Sequence, residues 1–83
     1  MHYEKIYVAV TVKVDAEGGK RPLAIIWQDG EVYKIDRVRY ATPASSLKVG
    51  GRGVRYTVVI DGKDRYLFDE DGRWFVEGRV VSN

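Results

Sequence analysis

The residues of this chain that could do chemistry are turn carboxylates and a set of cations. Asp29, Asp61, Asp64, Asp69, Glu70 and Asp71 lie in or beside Asp-Gly pairs. At such places an aspartate bonds nearby backbone amides and stabilises the turn. Catalysis by paired carboxylates needs burial or close opposition to drive their pKa values apart, and nothing in this spacing supplies either. Ser45 and Ser46 have no histidine to activate them, because the single histidine is His2, so a Ser-His nucleophile is not expected. With no cysteine and one histidine, neither a disulfide nor a zinc site is expected. Gly50-Gly51-Arg52-Gly53 lacks the Lys-Ser/Thr ending of a phosphate-binding loop, and reads as a flexible connection. The sequence therefore predicts no catalytic residue, no metal, no cofactor and no enzyme.

The cations offer more. Arg37, Arg39, Lys48, Arg52 and Arg55 fall on two expected strands and the loop between them. If those strands are neighbours, their arginines share one surface, and the loop brings Lys48 and Arg52 beside it. The planar fork of arginine matches phosphate oxygens. Against this stands a net charge of only +2, and a surface on which Asp36, Asp64 and Glu77 can pair the same cations.

The elements that must position these groups follow from punctuation. Asp29-Gly30, Asp61-Gly62 and Asp71-Gly72 each separate two runs rich in Val, Ile, Tyr, Phe or Trp. Asp-Gly in that setting marks a β-hairpin, because glycine reaches positive φ without steric cost. Six strands are expected: residues 3–14, 23–27, 31–40, 54–59, 63–69 and 73–81. Residues 15–22 and 41–53 read as loops. Ile6, Val8, Val10, Val12 and Val14 alternate with more polar residues and should face a core. No segment carries a helical period.

Face parity suggests the turns. A two-residue Asp61-Gly62 turn would pair Val58 with Arg65 and place an arginine on the core face. A three-residue loop closed by a glycine bulge instead pairs Tyr56 with Tyr66 and Val54 with Phe68. The same geometry at the other Asp-Gly sites pairs Ile25 with Tyr33, Phe68 with Trp74 and Tyr66 with Val76. Trp27, Tyr33, Tyr56, Tyr66, Phe68 and Trp74 then face inward. A bulge near Asp36-Arg37 would turn Val38 and Tyr40 inward too, with Arg37 and Arg39 outward. Leu67 and Phe75 pair on the outer face beside Arg55, where an exposed apolar pair would suit a protein contact. A meander of six short strands hides its edges by curling. The expected fold is one all-β domain over residues 1–83, a partly open barrel of the SH3-like kind, with an oligonucleotide-binding-type barrel as the alternative.

From Pro22 onward several spacings recur together: Trp27 before Asp29-Gly30, then Tyr33, Ile35 and Val38; later Arg55-Tyr56-Thr57-Val58, Asp61-Gly62, Tyr66-Leu67-Phe68 and Trp74-Phe75-Val76-Glu77. This pattern resembles small, uncharacterised bacterial proteins with a tryptophan-glycine-tyrosine hairpin and a closing tryptophan, some of which accompany translesion polymerase systems. The resemblance implies the fold and a bacterial setting, and it hands over no catalytic residue.

The longest apolar run, residues 23–27, is far shorter than a bilayer span, and no signal peptide opens the chain, so a cytoplasmic protein without a membrane is expected. The leading expectation is a non-enzymatic binding module that takes nucleic acid weakly, or serves a DNA-maintenance protein, through Arg37, Arg39, Lys48, Arg52 and Arg55. The alternative is a protein-interaction or homodimer module using Leu67, Phe75 and a strand edge. A small-ligand-binding barrel is third.

Overall fold

The structure, a computed structural model, describes residues 2–43 and 53–80. These residues are all-β, with eight antiparallel strands among them in place of the expected six: β1 (His2–Tyr7), β2 (Ala9–Val14), β3 (Lys20–Ile26), β4 (Val32–Lys34), β5 (Arg37–Pro43), β6 (Val54–Ile60), β7 (Lys63–Glu70) and β8 (Arg73–Val80). They form two open sheets, one of five strands in the order β1-β8-β7-β6-β5 and one of three in the order β2-β3-β4. Among the described residues no closed barrel forms.

Two expected strands are each broken once. The first passes from the large sheet to the small one at Val8, whose amide donates to the Trp74 carbonyl. The third breaks at Ile35-Asp36, where Ile35 N–H bonds Leu23 of the small sheet and Asp36 N–H bonds Val59 of the large one. In both cases the chain changes hydrogen-bonding partners while its apolar residues keep facing one interior. At Val8 the alternation runs on unchanged and gives no sign of the break, whereas at Ile35-Asp36 the parity changes between Ile35 and Val38, which the sequence presents as a bulge.

The core lies between the sheets. Ile25, Ile35, Tyr56, Val58, Leu67 and Trp74 form its buried cluster, and Val8, Val10, Val12, Val38, Val54, Ile60 and Val76 pack against it. The Tyr56 and Trp74 rings meet at 5.5 Å. Val14, expected in the same row, is 60% exposed at the end of β2. Pro22 is fully buried within β3, at a register shift where a missing amide hydrogen is tolerated. Asp69, also buried, accepts from Gly72 N–H at 2.7 Å and pairs with Lys20 across the sheets at 3.3 Å.

The turns divide. At Gln28-Asp29-Gly30 the three-residue loop is as expected: Ile25 pairs with Tyr33, Gly30 N–H bonds the Trp27 carbonyl, and Gly30 has φ +89°. The other two are two-residue turns. Ile60 pairs with Lys63 around Asp61 (φ 53°) and Gly62 (φ 76°), and Glu70 pairs with Arg73 around Asp71 (φ 52°) and Gly72 (φ 94°). Two successive positive φ values make type I′ turns, whose twist matches that of the flanking strands. Aspartate tolerates the left-handed region better than most residues.

The register therefore differs by one residue from the parity argument. Tyr56 pairs with Leu67, Thr57 with Tyr66, Val58 with Arg65, Arg55 with Phe68, and Phe68 with Phe75. Leu67 moves into the core, while Tyr66 and Phe68 move to the opposite face. The rejected pairing of Val58 with Arg65 is the real one. Arg65 is exposed because the small sheet covers only part of the large sheet's inner face, so the guanidinium reaches water at the uncovered end.

Candidate nucleic-acid interface

The large sheet has an outer face turned away from the core, and register assigns its occupants. One row across the strands reads Tyr7, Phe75, Phe68, Arg55, Thr42. The next reads Tyr66, Thr57, Tyr40, and a third Asp64, Val59, Arg37. Contacts agree with this assignment. Phe68 and Phe75 stack at 4.8 Å between ring centres with an angle of 2°, and Tyr7 meets Phe75 edge-on at 5.7 Å. Cations lie over rings along the face: Arg73 over Tyr7 at 4.1 Å, Arg55 over Tyr66 at 4.7 Å, Lys5 over Phe75 at 5.1 Å and Arg39 over Tyr40 at 5.5 Å.

Of the expected site residues, Arg37, Arg39 and Arg55 come together here. β5 and β6 are hydrogen-bonded neighbours, and the bulge that turns the arginines outward lies between Val38 and Tyr40 rather than at Asp36-Arg37. That placement keeps Val38 inward, opposite Val58, and sends Tyr40 outward, opposite Thr57. Lys48 and Arg52 lie outside the described residues.

Leu67 and Phe75 do not form an exposed pair. They are 0% and 1% exposed, Leu67 in the inner core and Phe75 beneath its neighbours on the outer face. Neighbouring parities of β7 separate them, since Phe75 pairs with Phe68 and not with Leu67. Parity reasoning from too long a turn placed them together.

Charge on the outer face is partly compensated. Asp64 pairs with Arg39 at 3.1 Å and Glu70 with Lys5 at 2.9 Å. Glu70 also accepts from the Tyr7 hydroxyl at 2.7 Å. The Tyr7 hydroxyl, followed by the Lys5 ammonium, holds the Glu70 carboxyl below the usual carboxylate range. Among the described residues, no salt bridge joins Arg37, Arg55 or Arg73 to a carboxylate. Arg55 is held by a ring instead, and its Nε is buried without a hydrogen-bond partner. Arg55 and Arg73 thus stand over rings and Arg37 is exposed on the same face, none of them in a salt bridge, although Arg73 also acts on the Glu70 carboxylate at longer range.

Tyr40 is 58% exposed, Tyr66 53% and Tyr7 38%. These are the residues that sequence reasoning missed, having turned Tyr40 and Tyr66 inward. The signal was the Asp-Gly pair itself, whose commonest hairpin is the two-residue turn.

A second feature lies at the uncovered end of the inner face. β7 pairs with β8 only from Phe68 to Glu70, so the two strands part beyond that point. Beside the gap a cleft of about 840 Å³ is lined by Ile25, Trp27, Tyr33, Ile60, Arg65 and Val76, among others. Among the described residues there is no group of metal-ligating side chains and no helix long and apolar enough to cross a membrane. No protein-family model, curated protein or solved structure matches the chain.

Proposed function

We propose that this protein is a non-enzymatic binding module that takes nucleic acid on the outer face of its large sheet. The observation that carries this reading is the alternation of guanidinium groups outside any salt bridge with exposed aromatic rings on one sheet face. Arg37, Arg55 and Arg73 offer charge to phosphates, and Tyr7, Tyr40 and Tyr66 offer flat apolar surface to bases. A bound phosphate oxygen gains a charge-assisted hydrogen bond, and each contact releases counterions. The small net charge favours a weak complex, with Kd about 10⁻⁴ to 10⁻⁶ M. Such a module would suit an accessory role in a bacterial DNA-maintenance complex in the cytoplasm, within an SH3-like frame.

Fluorescence anisotropy of a labelled oligonucleotide tests this. Affinity is expected to fall steeply as salt rises, and the double variant Arg37→Glu with Arg55→Glu is expected to abolish binding while leaving the circular dichroism spectrum unchanged. Salt-independent binding, or full binding by the double variant, would overturn the reading.

A second reading, capture of an extended peptide, draws on the cleft. There the edge of β7 that parts from β8 offers backbone groups beside Trp27 and Tyr33, the arrangement that strand addition uses. It differs from the first in being insensitive to Arg37 and Arg55.

A further inference from the structure

The arginine rows and the tyrosine row have a fixed order, and that order bears on the form of the nucleic acid. Tyr40 and Tyr66 flank Thr57 on its two sides, so their strands lie two spacings apart, about 9.5 Å. Thr57 is only 8% exposed between them, whereas both tyrosines keep more than half their area open. Neighbouring side chains therefore close over Thr57 and leave the two rings standing open beside it, Tyr66 at the edge of β7 where it also borders the cleft. One row along β6 stands Arg55. One row the other way, opposite Val59, stands Arg37. Each lies about 7 Å along the strand from the tyrosine row.

We infer that this row is a stacking platform for unpaired bases, so that the ligand of the outer face is single-stranded nucleic acid. This rests on the nucleic-acid reading above and goes beyond it. Two rings with cations on both sides suit a strand that crosses the sheet along the tyrosine row, laying one base on the face of Tyr66 that Arg55 leaves uncovered and one on the face of Tyr40 that Arg39 leaves uncovered. Arg55 and Arg37 then meet the phosphates on either side. A duplex cannot use the rings, because its base faces are already stacked on one another and only its phosphates reach the protein. Polyphosphate has no bases. The three polyanions therefore separate the ring contribution from the charge contribution. Stacking is tolerant of base identity, since every base has a flat face, so little sequence preference is expected.

The experiment compares a labelled single strand, the same sequence as a duplex, and inorganic polyphosphate as competitor, on the full chain at low salt. The single strand is expected to bind about tenfold tighter than the duplex. Tyr40→Leu and Tyr66→Leu are each expected to weaken the single strand about tenfold and to leave the competition by polyphosphate unchanged. Tyr40→Phe and Tyr66→Phe, which keep the ring, are expected to retain single-strand affinity and show that the loss is one of stacking. Arg37→Glu is expected to weaken all three polyanions. Equal affinity for single strand and duplex, or leucine variants that bind the single strand as tightly as the parent, would overturn the platform and leave the charged face standing. Absence of binding by every polyanion would overturn the charged face, and the platform with it.

Discussion

Exchanging the neighbours Leu67 and Tyr66 for alanine, one at a time, probes the register on which everything above depends. Leu67 is 0% exposed in the inner core and Tyr66 is 53% exposed on the outer face. Leu67→Ala removes three buried carbons, worth about 2.4 kcal/mol at about 0.8 kcal/mol per methylene. The cavity left in a tightly packed cluster raises the cost to about 3–5 kcal/mol. Tyr66→Ala loses a half-exposed ring and its contact with Arg55, about 1 kcal/mol. A chain of this length has roughly 4–12 kcal/mol in total, so the first variant sits near the edge of folding and the second does not. In urea, with a slope of about 1 kcal/mol per molar, the midpoint of Leu67→Ala falls by about 3–5 M and that of Tyr66→Ala by about 1 M. The alternative register, with three-residue loops, buries Tyr66 and exposes Leu67. A larger loss for Tyr66→Ala than for Leu67→Ala would refute the two-residue turn at Asp61-Gly62.

Further outcomes follow from other places in the fold. A Cβ on Gly78 would collide with the Ile6 side chain across the β1–β8 ladder, so Gly78→Ala is expected to cost about 1–3 kcal/mol, and adding Ile6→Val, which removes the clashing methyl, to recover part of it in denaturant melts. Glu70 has its pKa lowered in the fold, so its contribution is fully present above the ordinary carboxylate pKa and is lost as pH falls through the lowered value. Urea melts at decreasing pH should show a shallower loss for Glu70→Gln than for the parent. Burial, and then the charge of Asp69, pushes the Tyr56 phenol above 10.0. Stability from its neutral form is present below that pH and lost as pH rises through the raised value. Ultraviolet titration should show a late-ionising tyrosine that Tyr56→Phe removes.

Much of the frame is legible in the residues, and its limits have physical causes. Gly30, Gly62 and Gly72 all take positive φ, as Asp-Gly between apolar runs implies, and the loop around Asp29 has its expected length. The lengths of the other two turns were misjudged because an arginine opposite Val58 looked prohibited. That judgement assumed a fully covered inner face, and coverage is a tertiary property. The break at Val8 escaped notice because both halves of that strand bury the same row, and the one at Ile35-Asp36 reads as a bulge because a change of parity alone does not say that the strand changes sheets. In the candidate site, Arg37, Arg39 and Arg55 could be placed on one surface because adjacent strands joined by one loop tend to pair. Tyr40 and Tyr66 could not, because a one-residue slip sends every side chain to the other face.

The most direct test of the account is an amide chemical-shift titration of the full chain with a short single-stranded oligonucleotide at low salt. The account predicts shifts confined to the outer face, at Arg37, Tyr40, Arg55, Thr57 and Tyr66, that fade as salt is raised. No shift at these residues, or shifts only at Trp27, Tyr33 and Arg65 around the cleft, would contradict it.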